Sequence, residues 1–263
     1  MKDITVIIPL HKFDETIKPL LERAIKSIPK DLLVSISCGV NVNEKELYYL
    51  NDIFEGIEIT VPIEKDEKDD FCTLVNRKVE EIGTKWFTIL EFDDIYTDIW
   101  FKNVDEYMKY YPETTVFLPL EEITDFNSNK FISYGNEAPW ATSFSNEEGV
   151  IDNDCLQQFF DFYLTGGIFN TSDWLECGGL KPSIKLTFWY EFLLRITNMN
   201  KRVFVIPKLG YKHFVNRKES LISQYQETIT EEESEKWFEL AKQECLFKED
   251  RNKTYEENNE KGE

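Results

Sequence analysis

Three carboxylates, Glu91, Asp93 and Asp94, follow at once on the apolar run Trp86-Phe-Thr-Ile-Leu90. A short apolar run that stops in carboxylates reads as a buried strand. It presents them at its carboxyl end, where open α/β sheets bind their ligands. Carboxylates held on one turn suit a hard divalent cation, Mg²⁺ or Mn²⁺, which prefers oxygen and shares its other positions with phosphates. The same residues also suit a solvated acidic turn that caps the next helix. Other groups capable of chemistry are sparse. His11 and His213 are the only histidines, too few for a histidine-rich zinc site. Cys38, Cys72, Cys155, Cys177 and Cys245 show neither a disulfide framework nor a metal-ligand spacing, which points to reduced thiols and a cytoplasmic setting.

The acidic turn needs a frame to hold it. Ile4-Thr-Val-Ile-Ile-Pro9 is a continuous run of the kind buried on both faces in a parallel sheet. Asp14 or Glu15 caps a helix to about Ser27, with Ile17, Leu20, Leu21, Ala24 and Ile25 in helical period. Strands are expected over residues 32–37 and 57–63, with a helix from Asn43 to about Phe54 between them. Asp69 or Asp70 starts a third helix, and Gly83 follows its end. Strand and helix thus alternate four times before Asp94, the pattern of βαβ units in an α/β domain with one doubly wound, mostly parallel sheet flanked by helices.

Beyond the turn the pattern predicts a helix over 99–110 and a strand over 115–120. A polar loop or hairpin over 121–150 and a short helix over 155–163 follow. The next elements are a strand over 168–170, a one-turn helix over 172–176, an apolar helix over 187–196 and a strand over 203–206. Residues 211–221 read as a mixed polar loop. Thr230-Glu-Glu-Glu has the form of a capping box and opens a helix through about Phe247. Residues 248–263 are wholly polar and are expected to be a disordered tail behind a single domain over 1–247. The 263 residues, 41% of them hydrophobic, are enough for a sizeable core. The formal charge of −20, with no dense basic run, excludes duplex nucleic acid as a partner and disfavours a polyanionic one. No apolar stretch approaches the length of a membrane span.

Several short segments occur in a telling order: Thr5-Val-Ile-Ile-Pro9, Thr73-Leu-Val-Asn76-Arg77, Leu90-Glu-Phe-Asp-Asp94, Gly166-Gly167, Gly178-Gly179, and Tyr211-Lys-His-Phe with Arg217 and Ser220. Together they resemble the family-2 glycosyltransferases, enzymes of the GT-A fold, over about residues 3–222. The resemblance implies a metal-dependent, inverting transfer of a sugar from a nucleoside diphosphate sugar to an acceptor, whether another sugar, a protein or a modified base. It implies that Asp93, Asp94 and His213 hold Mn²⁺ or Mg²⁺, with Glu91 supporting the cation or contacting the ribose. Lys212, His213 and Arg217 would neutralise the remaining phosphate charge. Pro9, Leu10 and His11 would line the base and ribose pocket, and Asn76 would belong to the donor site.

Two places depart from the family pattern. An acidic residue that reads the base is expected after the second strand, where this chain has Ser35-Ile-Ser-Cys-Gly39-Val-Asn41. Inverting members carry an acidic pair at the start of the helix after the Gly-Gly segment, where this chain has Phe188-Trp189. Glu191, one helical turn on, is the helix's only carboxylate and the candidate general base beside the catalytic Asp94. Glu191 also stands at i,i+4 spacing from Arg195, as an ordinary helix ion pair would. Asp173 and Glu176 are weaker candidates for the base. Trp140, Trp174, Trp189 and Tyr190 suit either a sugar-stacking platform or the core. A transferase-like domain that binds without catalysing is the alternative function.

Overall fold

The computed structural model describes residues 3–54, 56–61, 70–141, 147–218, 220, 225 and 228–242. The expected tail over 248–263 and the end of the last helix lie outside the described residues.

Strands β1 (Ile4–Leu10), β2 (Leu33–Cys38), β3 (Glu58–Thr60) and β4 (Trp86–Ile89) are joined by helices α1 (Lys18–Lys26), α2 (Glu44–Ile53) and α3 (Phe71–Glu81). The strands pair in parallel in the order β3-β2-β1-β4. Helix starts are set locally. Asn43 forms a reciprocal capping box with Glu46 at the head of α2, and Asp70 accepts from Thr73 N at 2.8 Å at the head of α3. Helix α1 starts four residues after Asp14, because the Asp14 carboxylate first closes a turn on the backbone of Thr16 and Ile17.

The second half adds β5 (Ile95–Tyr96), α4 (Trp100–Tyr110), β6 (Thr114–Asp125), β7 (Phe131–Gly135), a 3₁₀ turn (Ala138–Trp140), β8 (Val150–Ile151), α5 (Asn153–Gln158), β9 (Ile168–Asn170), α6 (Thr171–Cys177), α7 (Phe188–Asn198), β10 (Arg202–Val215) and α8 (Glu231–Lys242). Strand β9 lies antiparallel between β4 and β6, and β10 runs parallel to β6. One sheet results, in the order β3-β2-β1-β4-β9-β6-β10-β5, with β7 on β6 and β8 on β10. Its two faces carry separate cores. Side chains of α3, α6 and α7 such as Val75, Trp174 and Phe192 cover one face, and Leu21, Trp100 and Val104 of α1 and α4 cover the other.

Three expectations are corrected in their bounds. The strand predicted over 115–120 continues to Asp125 and turns back through β7, so the start of the polar stretch takes the hairpin form of the two expected, loop or hairpin. The loop predicted over 211–221 begins as strand, because β10 runs through to Val215. Pro207, Lys208 and Gly210 punctuate the sequence as a strand end would. The chain instead absorbs them as irregularities in register between Ile206 and Tyr211 and resumes pairing with β6. The predicted helix over 155–163 is shorter, closing at Gln158.

The Gly166-Gly167 step that leads into β9 is needed for close approach. Gly166 has φ +75°, and a Cβ there would stand 2.4 Å from Cδ2 of Tyr211. Its N–H donates to Ile89 O at 2.7 Å, and its carbonyl accepts from Trp100 Nε1 at 3.0 Å. Gly166→Ala is therefore expected to cost about 1–3 kcal/mol in urea unfolding, by combining backbone strain with displacement of the Tyr211 ring.

Candidate functional site

Strand β4 hands over to a tight turn. Leu90 N still pairs with Ile7 O at 2.9 Å, and Asp94 N closes on Glu91 O at 3.1 Å. Leu90 and Phe92 are buried and anchor the turn in the core, so the acidic residues between and after them are held on a rigid base. The far end of β10 arrives beside this turn, because it pairs with β5 through Tyr211↔Tyr96 and Lys212↔Ile95.

Every acidic residue of the turn is fastened to β10 or to the segment after it. Asp94 Oδ2 lies 2.7 Å from His213 Nδ1, and Asp94 Oδ1 accepts from Phe214 N at 2.7 Å. Asp93 Oδ2 accepts from Arg217 Nε at 2.6 Å. The Tyr211 hydroxyl accepts from Glu91 N at 3.1 Å. From α1, Arg23 donates to the Asp93 carbonyl and lies over the Phe214 ring at 4.2 Å, so one guanidinium braces both halves of the site. Arg217 is itself buried over Phe92, 4.9 Å from the ring centroid, and its terminal nitrogens make no hydrogen bond among the described residues.

One ligand atom each of Glu91, Asp94 and His213 lies within 4.8 Å of the other two. That spacing and the mix of two carboxylates with an imidazole fit Mn²⁺ or Mg²⁺, which the three would hold from one side. Beside them on β6 lies Glu121, wholly buried and paired in register with Tyr211. Neither of its carboxylate oxygens has a hydrogen-bond partner among the described residues.

Crowding of like charges dominates the electrostatics. Burial, then the Asp94 carboxylate, pushes the Glu91 carboxyl up. Asp93 is pushed up for the same two reasons, although Arg217 partly opposes this. Burial drives Glu121 well above the ordinary carboxyl range. For His213, burial works against the imidazolium, but Asp94, Glu91 and Glu121 outweigh it and lift the pKa to about 10. Burial and the crowding of carboxylates thus favour the protonated forms of Glu91, Glu121 and the His213 imidazole.

The remaining residues expected from the sequence fall in different places. Asp93 is held by Arg217 and lies outside the group of three converging ligand atoms, where Glu91 stands instead. Lys212 is directed to Glu122 at 2.8 Å, because alternate residues of β10 face opposite ways and His213 faces the turn. Pro9 and Leu10 are buried at the end of β1, with Leu10 O accepting from Gly39 N at 2.8 Å, and only His11 is partly exposed. Asn76 uses its side-chain amide on Leu180, donating to its carbonyl at 2.7 Å and accepting from its N–H at 2.8 Å.

Glu191 is almost wholly buried. It accepts from Arg195 Nε and a terminal Arg195 nitrogen, both at 2.8 Å, and lies 3.1 Å from Lys181 Nζ. Arg195 also donates to the carbonyls of Cys177 and Gly179. Glu191 is thus half of an ion pair that, with Asn76, clamps the Gly178-Gly179 segment, and both of its oxygens are occupied. Asp173 and Glu176 pair with Lys201. Trp174 and Tyr190 are core, Trp189 packs on Phe71, and Trp140 donates to Val205 O.

Glu121, Arg23 and the Tyr211 hydroxyl are absent from the sequence-based set. The signal for Glu121 was available: Leu120-Glu-Glu-Ile-Thr continues the strand, and its alternation turns Glu121 inward.

No protein-family model matches the chain, and no curated protein matches it in sequence. Solved structures do match. S. aureus TarS residues 1–349 in complex with UDP-GlcNAc superposes with a TM-score of 0.62 at 12% identity, covering 84% of this chain and 61% of that one. The mannosyltransferase PcManGT from Pyrobaculum calidifontis, in complex with GDP-Man and Mn²⁺, gives 0.60 at 14% identity, covering 86% and 60%. The fold is therefore GT-A. The chain spans about three fifths of the length of these proteins.

The folded protein binds more protons at His213, Glu91 and Glu121 than the unfolded chain does over neutral to alkaline pH. His213 contributes stability that is complete below about pH 6.5 and lost as pH rises through about 10. The raised carboxyls act in the same direction over the lower part of that window. In the absence of divalent cations, the melting temperature is expected to fall between pH 6.5 and 9.5, and added Mn²⁺ should offset the fall most at the high end. A melting temperature flat over that range would contradict the assignment.

Proposed function

We propose that the chain is a metal-dependent glycosyltransferase that takes its sugar from a nucleoside diphosphate sugar. The observation that carries this is the convergence of Glu91, Asp94 and His213 at the carboxyl end of a GT-A strand, with the terminal nitrogens of Arg217, unbonded among the described residues, beside them. The neighbours named with UDP-GlcNAc and with GDP-Man and Mn²⁺ support the same reading.

In this reading Glu91, Asp94 and His213 hold Mn²⁺ or Mg²⁺. A bound divalent cation supplies a Lewis acid that takes up charge on the diphosphate as its bond to the sugar breaks. Arg217 keeps Nε on Asp93 and offers its terminal N–H groups to a diphosphate oxygen, a charge-assisted contact in a nearly dry place. Phe214 N and His213 together fix the orientation of Asp94. Partly exposed His11, at the end of β1 and 6.3 Å from the Phe92 ring, borders the base and ribose pocket.

These residues account for donor binding and departure of the leaving group. An inverting course also needs an acceptor base. Glu191, expected in that role, is assigned here as a brace, because Arg195 and Lys181 occupy its oxygens. That occupied carboxylate favours a second reading, a domain that binds the nucleotide sugar without transferring it.

Thermal shift with UDP, GDP and CDP, each with and without Mn²⁺, tests the donor site. One nucleotide should stabilise the protein only together with Mn²⁺, by about 2.7 kcal/mol at a hundred times its Kd. Asp94→Asn should remove that response, and a protein unmoved by every pair would contradict the proposal. Glu191→Gln should leave the response within about threefold while costing about 3 kcal/mol or more of stability, as breaking a buried ion pair does. Release of nucleoside diphosphate from the matching nucleotide sugar separates transfer or hydrolysis from binding alone.

A further inference from the structure

Among the described residues, Glu121 is the only carboxylate with both oxygens buried and neither hydrogen-bonded. Its place is specific. On β6 it pairs with Tyr211 of β10 on one side and Gly135 of β7 on the other. In register with Tyr211, it shares the strand face of His213, two residues on. The charges of His213, Asp94 and Glu91 all act on it.

The enclosure is also specific. Gly135 leaves room for the Tyr163 ring, since a Cβ there would stand 2.9 Å from Cδ2 of Tyr163 and 3.5 Å from Cβ of Glu121. Asn136 pins Tyr163 in place by bonding its carbonyl at 2.8 Å and its N–H at 3.0 Å. The Tyr163 ring in turn lies 5.5 Å from that of His213. A carboxylate sealed in this way without a partner is costly unless a proton or a cation neutralises it.

We propose that Glu121 is a fourth ligand of the cation centre, joining Glu91, Asp94 and His213. The proposal rests on the metal-site reading given above. Glu121 does not stand within the group of three converging atoms, so ligation requires rotation about its side-chain bonds, which no hydrogen bond opposes. A centre with three carboxylates and an imidazole carries more negative charge than a divalent ion needs, and ligand charge count sets affinity for hard cations. The cation is therefore held by the protein alone and is in place before a nucleotide arrives.

Calorimetric titration of Mn²⁺ in the absence of nucleotide tests this on the full chain. The wild type should bind one Mn²⁺, and Glu121→Gln should bind it at least tenfold more weakly. A crystal soaked in Mn²⁺ should show the anomalous peak about 2.2 Å from a Glu121 oxygen, a result that needs no variant to fold. The inference is overturned by wild-type binding that requires nucleotide, by Glu121→Gln binding as tightly as wild type, or by a Mn²⁺ on Glu91, Asp94 and His213 with Glu121 beyond about 3 Å. Failure of the wild type to bind Mn²⁺ with any nucleotide or without one removes the metal-site reading itself, and this inference with it.

Discussion

Four carboxylates, Glu91, Asp93, Asp94 and Glu121, are confined in a largely dry region at the carboxyl end of β4. Like charges at such range cannot all ionise without compensation, and the surrounding structure supplies it piece by piece. Arg217 answers Asp93, and His213 answers Asp94. Glu91 and Glu121 are left to a proton or a cation. The unusual length of β10, its irregular passage through Pro207 and Gly210, and the bracing of the Asp93 carbonyl by Arg23 all deliver positive or donor groups to that one place.

The contrast with Glu191 shows what distinguishes a structural carboxylate from one available to a ligand. Glu191 is as deeply buried as Glu121, yet Arg195 and Lys181 satisfy it within its own neighbourhood. Its work is to fix Arg195 across the carbonyls of Cys177 and Gly179, opposite the Asn76 clamp on Leu180. A Cβ on Gly179 would fall 2.3 Å from Asn76 Oδ1, so that segment is locked from both sides. Among the described residues, Glu121 has no such local partner.

Much of this was legible in the chain itself. The β-branched run at Ile4 and the alternation up to Asp94 require a parallel sheet with the acidic turn at its carboxyl edge, and the strands form where the apolar runs stand. What sequence could not convey was partnership across distance. Nothing local tells that Asp93 meets Arg217, 124 residues away, rather than joining Glu91 and Asp94. The i,i+4 spacing of Glu191 and Arg195 was a local signal, and the structure forms that ion pair. Lys212 and Asn76 illustrate the same limit: the family resemblance implied phosphate and nucleotide contacts, while strand alternation and a backbone clamp set their partners. Residues 211–221 read as a loop from their mixed polar composition, yet β10 carries Lys212 and His213 as strand residues on opposite faces.

Glu91, Glu121 and His213, all with raised pKa values, must give up protons if a divalent cation is to settle among them and Asp94. The most direct measurement is calorimetry of Mn²⁺ binding near pH 7 in two buffers of different ionisation enthalpy, such as phosphate-free Hepes and Tris. Because ligands must shed protons to bind a metal, the two apparent enthalpies should differ by an amount that gives the release of about one proton or more per Mn²⁺. Identical enthalpies in the two buffers, with Mn²⁺ bound, would contradict the account.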